Sequence, residues 1–200
     1  MWLQTESGAD VHIVQCDVSD ETSVVSMLQS ARKVAGHITG VIHCAGVIRD
    51  GLIRGGGAAA GCAEVWNSKA LSAWWLHKHT LQDEMETFIV LSSIAVALGG
   101  VGQSAYGLAN RFLDELMQFR ATQGLCGCSV QLPAVFGVGM AAAGILSTMD
   151  PAVALMWSLK LSYFTSKIES ICNKQSSGST SVLILPSVGI ISGLPPRLIR

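Results

Sequence analysis

The fold is decided by residues 87–122, which read TFIVLSSIAVALGGVGQSAYGLANRFLDELMQFRAT. The run begins with an apolar stretch, Thr87 to Ser92, that is typical of a strand buried inside a sheet. A Gly-rich connection, Gly99 to Gly102, then leads into an amphipathic pattern from Ser104 to Thr122 that predicts a long helix. A strand, a glycine turn and a helix in this order indicate one unit of an α/β sheet.

The same alternation continues on both sides of this unit. Asp20 or Ser19 is expected to cap a helix that ends near Ala35, with Glu21 in the first turn where the helix dipole favours an acid. The other predicted strands are 11–18, 38–44, 129–132 and 181–186, and the other predicted helices are 63–79 and one or two within 151–172. No internal repeat or domain boundary is visible, so the pattern predicts one open, doubly wound parallel sheet.

Composition excludes several classes of function. The 200 residues carry 13 Lys+Arg and 14 Asp+Glu without a basic run, which argues against nucleic-acid binding. The longest apolar runs, 132–146 and 181–194, are broken by Pro or Gly and are shorter than the ~20 residues that span a bilayer. Because the N-terminus also lacks a signal-peptide pattern, we expect a cytoplasmic protein without a membrane partner, whose cysteines are reduced and buried.

A constellation of polar side chains follows the predicted strand. Ser93 ends the Leu91-Ser92-Ser93 segment, Tyr106 comes thirteen residues later and Asn110 four residues after that. A Tyr-x-x-x-Asn spacing places both side chains on one face of a helix. The serine lies at the carboxyl end of its strand, where open α/β sheets bind ligands. Alone the pattern is weak, since a helical tyrosine is usually a packing residue.

Four segments carry a resemblance to the ketoreductase domain of modular polyketide synthases and animal-type fatty acid synthases, within the short-chain dehydrogenase/reductase superfamily. They are CDVSD at 16–20, VIHCAGVIRDGL at 41–52, LSSIA at 91–95 and GGVGQSAYGLANRFLD at 99–114, and the resemblance covers about residues 9–141. The superfamily usually has Tyr-x-x-x-Lys, whereas these ketoreductases have Asn there and take their lysine from an upstream helix. Asn110 stands at that position, and Lys69 precedes Ser93 by the required twenty-four residues.

The resemblance implies reduction of a β-ketoacyl thioester to a β-hydroxyacyl thioester with NADPH. Tyr106 would donate the proton, Lys69 would lower the pKa of that phenol, and Ser93 would bind the substrate carbonyl. Asn110 would support Lys69 or a water molecule. The substrate would be tethered through phosphopantetheine to an acyl carrier domain, among neighbouring domains of a synthase.

The cofactor residues follow from the same resemblance. Asp17 and Val18 resemble the pair that contacts the adenine, and Cys44, Ala45 and Gly46 match the turn that passes beside the cofactor. An aspartate in this place also serves as a turn or cap residue, and small residues also suit an ordinary turn after a strand.

The other polar candidates have simpler interpretations. Lys69 could be a solvated helix lysine, Ser93 a turn cap and Tyr106 a half-buried packing residue. His77 and His79 lie two residues apart and do not share a helical face, so we expect surface side chains and no metal site.

The resemblance lacks its usual beginning. A nicotinamide-binding half opens with a strand and a Gly-rich loop that holds the pyrophosphate, and nothing before Val11 supplies them. We therefore predict an incomplete Rossmann-like sheet of the short-chain dehydrogenase type, lacking the first two strands and this loop. Residues 1–200 would form a single partial domain, with 142–200 as its C-terminal end. The alternative is a non-catalytic structural remnant unable to bind NADPH by itself.

Overall fold

A parallel α/β sheet forms the centre of the molecule. The structure, a computed structural model, describes residues 12–54, 57–135, 158–159 and 181–184. Within them, four strands form one parallel sheet in the order β1-β2-β3-β6, and β4 and β5 form a second parallel pair. The strands are β1 (Gly40–His43), β2 (Thr87–Ser93), β3 (Cys128–Leu132), β4 (Ala134–Val135), β5 (Ser158–Leu159) and β6 (Ser181–Ile184). The helices are α1 (Glu21–Ala35), α2 (Gly57–Trp66), α3 (Ser72–His79), α4 (Ala95–Leu98) and α5 (Ser104–Thr122). The predicted α/β fold class is confirmed.

The core lies on both faces of strand β2. Its central residues Phe88, Ile89 and Val90 are fully buried, as expected for a parallel strand covered by helices on both sides. Helix α5 contributes Leu113 to the larger apolar cluster and Ala109 to a smaller one beside Tyr106. Packing of α5 against β2 therefore fixes the start of α5 relative to the carboxyl end of the strand.

Helix α1 begins where the sequence predicts. The Asp20 carboxylate accepts hydrogen bonds from the backbone amides of Thr22 and Ser23, which would otherwise lack partners in the first turn. At the other end, Gly36 has φ of 81° and closes the helix with a hydrogen bond to Arg32 O.

Asp20→Ala is expected to lower the free energy of unfolding by about 1 kcal/mol, because the two amides lose their acceptor. Ser19→Ala is the matched control, since the Ser19 hydroxyl donates only to the neighbouring Asp17 carboxylate. Thermal or urea unfolding of both variants measures the difference. Equal losses in the two variants would show that Asp20 is not the cap.

Two predicted elements differ from the structure. The strand predicted at 11–18 is absent from residues 12–17, where Ile13 is 92% exposed. A strand needs a hydrogen-bonding neighbour, and the outermost described strand, β1, pairs only with β2 among the described residues. The helix predicted from 63 begins at Gly57, because the alanines of this Gly/Ala-rich run favour helix.

The predicted strand at 181–186 is present as β6, whereas the helices predicted within 151–172 are replaced at 158–159 by strand β5. The rest of that segment lies outside the described residues. No helix in the described part of the chain is long and apolar enough to cross a membrane.

The expectation that His77 lies on the surface was wrong. Its side chain is 3% exposed, between the rings of Trp74 and Phe119. Nδ1 accepts a hydrogen bond of 2.9 Å from the buried guanidinium of Arg120, which gives the ring a polar partner inside the core. Burial and the adjacent guanidinium lower the pKa of His77.

The cysteines are less buried than expected. Cys128 is buried, Cys16, Cys62 and Cys126 are half-buried, and Cys44 is exposed. Cys44 lies just beyond the end of β1, a strand in which His43 alone is buried.

Candidate active site

The four candidate residues lie around the carboxyl end of β2. Ser93 is the last residue of that strand, Tyr106 and Asn110 lie in the first two turns of α5, and Lys69 lies on the helical segment that joins α2 to α3. This segment, Asn67–Leu71, is a single π-helical turn. Such turns are frequent at functional sites because they displace a side chain from its ordinary helical direction.

Lys69 is buried, with 3% of its surface exposed. Its Nζ donates a hydrogen bond of 2.9 Å to the carbonyl oxygen of Leu91 in β2 and lies 5.8 Å from the centroid of the Tyr106 ring. The second distance is within the range of a cation–π attraction. The structure thus brings Lys69 and Tyr106 together inside the protein, instead of leaving the lysine in solvent.

The surroundings of Lys69 change its acidity. Burial penalises the charged form and lowers the pKa of Lys69 to about 8, although the charges of Cys44 and Asp114 act in the opposite direction. The ammonium form still dominates at pH 7. Gly46 lies against the side chain, since a Cβ on this glycine would sit 3.4 Å from Nζ. A larger residue at position 46 would therefore press on the lysine.

Asn110 is fully buried beneath the tyrosine. Its Nδ2 donates a hydrogen bond of 2.9 Å to the backbone oxygen of Tyr106. The backbone carbonyl oxygen of Asn110 accepts a hydrogen bond from the Ser92 hydroxyl. Its Oδ1 has no hydrogen-bond partner among the described residues. A buried acceptor without a donor is costly, so this oxygen is suited to a group that the described chain does not supply.

Ser93 is half-buried and caps the turn that leads into the short helix α4. Its Oγ accepts a hydrogen bond of 3.1 Å from the backbone amide of Ala95. This contact uses an acceptor site of the hydroxyl and leaves the hydroxyl proton able to donate. The capping interpretation and the carbonyl-binding interpretation are therefore compatible.

The predicted adenine-contacting residues precede α1. The Asp17 carboxylate is exposed and accepts hydrogen bonds from the Ser19 amide and hydroxyl at 2.9 and 2.7 Å, which is the contact of a turn residue and lowers the pKa of Asp17. Val18 is half-buried. Their contact with adenine stays a prediction.

The residues predicted beside the cofactor follow β1 directly. Cys44 is exposed, and Ala45 and Gly46 are half-buried. Of the three, Gly46 lies against Lys69, because a Cβ atom at position 46 would be 3.4 Å from the Lys69 Nζ.

A cleft of about 540 Å³ opens beside the start of α5. Its walls include Ser104 and Gly107, on either side of Tyr106 in sequence, and the apolar side chains of Leu52, Ile53 and Leu108. These three side chains are exposed.

Two contacts hold the walls of this cleft together. The Gly51 amide donates to the carbonyl of Gly102 at 2.9 Å, and Gln103 Nε2 donates to Asp50 at 3.1 Å. Tyr106 is not among the residues that line this cleft, which is an apolar surface beside the start of α5.

Sequence reasoning missed a buried polar pair behind Lys69. His43 ends β1 and lies 2.6 Å, Nε2 to Oγ, from Ser72 at the start of α3. The signal in the sequence was a histidine within an apolar strand and a serine three residues after Lys69. Neither residue suggests the other, because their contact depends on the packing of α3 against β1.

The described residues contain no group of three or more His, Cys, Asp or Glu side chains able to hold a metal ion.

Known proteins are similar to this chain in sequence. The chain is 40% identical over 126 residues to the phenolphthiocerol synthesis polyketide synthase type I Pks15/1 of Mycobacterium marinum. That match covers 63% of this chain and 6% of the relative, so the chain spans a small part of the relative's length.

Solved structures share the fold. A ketoreductase from the first module of phoslactomycin biosynthesis in Streptomyces sp. HK803 is 24% identical, with a TM-score of 0.75 and coverage of 94% of this chain and 44% of that one. The NADPH-dependent 3-quinuclidinone reductase of Rhodotorula rubra is 13% identical, with a TM-score of 0.80 and coverage of 96% and 76%.

The family model of the KR domain matches residues 2–137, which are more than half of the chain. Together with the similarity to polyketide synthases, this match shows that the chain belongs to the KR domain (ketoreductase) family.

Proposed function

We propose that the chain contributes the site at which a β-ketoacyl thioester is reduced with NADPH to a β-hydroxyacyl thioester. One observation carries the proposal: a buried ammonium, Lys69, is held by the Leu91 carbonyl at 5.8 Å from the ring of Tyr106. Burying an ammonium costs desolvation free energy, and an ammonium held in this way next to a phenol is suited to stabilising a phenolate.

The residues at this end of the sheet fit the reacting end of a nicotinamide cofactor. The small residues Ala45 and Gly46 follow β1, where a backbone must come close to a bound group. The Asn110 Oδ1 is a buried acceptor without a donor among the described residues. NADPH, when bound, supplies the hydride. Cys44, Ala45 and Gly46 would lie along it, and Asp17 and Val18 would hold its adenine end.

The protein side chains supply the proton and bind the developing charge. Tyr106 gives its hydroxyl proton to the substrate oxygen, and the Lys69 ammonium stabilises the phenolate that remains. Ser93 donates its hydroxyl proton in a hydrogen bond to the same substrate oxygen, as a donor of an oxyanion hole. Asn110 accepts a hydrogen bond from the ammonium or from a water between them.

The substrate class follows from the cleft and from the relatives. Exposed apolar side chains at Leu52, Ile53 and Leu108 suit an acyl chain, and Arg54 lines the same cleft. Because the chain matches a small part of a polyketide synthase, we propose that its acyl group arrives on the phosphopantetheine of an acyl carrier domain. Neighbouring synthase domains would be its other partners, in the cytoplasm.

The direct test incubates the chain with NADPH and a β-ketoacyl thioester and follows both the loss of NADPH absorbance and the hydroxyacyl product by mass spectrometry. Coupled loss and product formation supports the proposal. NADPH binding measured by calorimetry without product would contradict it. Absence of both binding and turnover favours the alternative, a structural remnant that does not bind NADPH by itself.

A further inference from the structure

The pair formed by His43 and Ser72 lies behind the lysine, away from the cleft. Both side chains are buried, and the Nε2 of His43 is 2.6 Å from the Oγ of Ser72. The same hydroxyl lies 2.7 Å from the carbonyl oxygen of Ser68 and 3.1 Å from that of Lys69. One side chain of β1 is thus linked to two carbonyls of the π-helical turn.

The direction of these hydrogen bonds follows from the donors available. A serine hydroxyl has one proton, and carbonyl oxygens can only accept. The Ser72 proton is within reach of the carbonyls of Ser68 and Lys69, and in that arrangement Nε2 of His43 donates to the Ser72 hydroxyl from a neutral ring protonated on Nε2. Burial and the charge of Lys69 lower the pKa of His43 to about 4, so the ring is neutral wherever Lys69 titrates.

The turn that is fixed in this way is the one that carries Lys69. The Ser72 amide donates to the carbonyls of Asn67 and Lys69, while the Ser72 hydroxyl bonds to those of Ser68 and Lys69. The far end of the lysine side chain is held by Leu91 in β2. Lys69 is therefore anchored at its backbone toward β1 and at its ammonium toward β2.

We propose that His43, acting through Ser72, is a positioning residue that fixes the π-helical turn and so directs Lys69 to the Leu91 carbonyl and the Tyr106 ring. Its value for catalysis rests on the proposed function of Lys69, whereas the link itself belongs to the fold. Nδ1 of His43 is buried without a partner in the described part of the chain, so the ring carries a polar cost that a leucine would not. The hydrogen bond between Nε2 and the Ser72 hydroxyl is the interaction that a leucine could not make.

The test measures the titration of Lys69 by NMR in the full chain labelled with ¹³C at lysine Cε, without substrate or cofactor. In His43→Leu and in Ser72→Ala the turn loses its link, Lys69 regains water, and its pKa rises by at least about one unit from about 8 toward 10.5. His43→Gln keeps a nitrogen donor in place of Nε2 and stays near the wild-type value. The titratable neighbours Cys44 and Asp114 are unchanged in every variant.

Thr80→Val is the matched control, at the residue that directly follows α3. Thr80 is also buried and its hydroxyl also bonds to the carbonyl four residues earlier, Leu76, at 2.7 Å, but it lies at the far end of α3. It should leave the titration of Lys69 unchanged.

An unchanged or lowered pKa of Lys69 in folded Ser72→Ala overturns the proposal, even if His43→Leu fails to fold. A rise in Thr80→Val equal to that in Ser72→Ala also overturns it. Because the readout needs no turnover, failure of the ketoacyl reductase assay leaves this test intact.

Discussion

Replacing Tyr106 by phenylalanine is expected to slow ketoacyl reduction by up to about ten-thousandfold, because a positioned proton donor contributes about 10² to 10⁴ to a rate. Phenylalanine keeps the ring that lies 5.8 Å from Lys69 Nζ and that packs beside Ala105 and Ala109. The only group removed is the hydroxyl. A steady-state assay of hydroxyacyl product, with kcat and KM determined separately, measures the loss.

The loss should fall on kcat, and the thermal unfolding midpoint and the Kd for NADPH should stay near those of the wild type. This combination separates chemistry from folding and from cofactor binding. Turnover that is unaltered in Tyr106→Phe would remove Tyr106 as the proton donor. An equal fall in NADPH affinity would assign the hydroxyl to cofactor binding instead.

Sequence periodicity is most informative where an element is long and one face is apolar. The pattern predicted helix α5 at Ser104–Thr122, and the structure has the helix at the same residues. The segment 12–17 has the sequence pattern of a strand, but no described strand lies beside it. A strand forms only where a neighbouring strand supplies its hydrogen bonds. His77 was misplaced because its partner Arg120 lies forty-three residues away in sequence and is brought there only by the packing of α5 against α3.

The candidate site shows the same limit. Spacing and resemblance pointed to Lys69, but composition alone predicts a solvated helix lysine. The π-helical turn that carries it is accompanied by a contact between residues 43 and 72, twenty-nine positions apart, which no local pattern indicates. The roles of Lys69, Ser93, Tyr106 and Asn110 in the reaction stay predictions.

Lys69→Met is expected to stabilise the fold while it slows the reaction. A unit charge at 5.8 Å in an effective dielectric constant of about 20 is worth about 3 kcal/mol, so loss of the ammonium should lower kcat about a hundredfold. Methionine fills a similar volume without a charge. The same assay that tests Tyr106→Phe measures this loss.

The stability effect has a definite sign. The pKa of Lys69 is lowered from 10.5 to about 8 in the folded state, so below pH 8 both states hold the proton and the folded state bears the full cost of a buried ammonium. Between about pH 8 and 10.5 the unfolded chain binds more protons, and wild-type stability rises with pH. The shift corresponds to about 3 kcal/mol, and the hydrogen bond to Leu91 that methionine loses is worth about 1 kcal/mol.

At pH 7 the free energy of unfolding of Lys69→Met should therefore exceed that of the wild type by about 2 kcal/mol. The excess should disappear between about pH 8 and 10.5, and near pH 10.5 the variant should be the less stable protein by about 1 kcal/mol, because the wild type is then relieved of its buried charge. Lys78→Met is the matched control, since Lys78 is about half exposed and pairs with Glu21 at the surface. It should change stability by less than about 1 kcal/mol at every pH. The opposite result would be a Lys69→Met protein that is less stable than the wild type at pH 7 and still gains stability between about pH 8 and 10.5. It would mean that the ammonium is not buried as the structure has it.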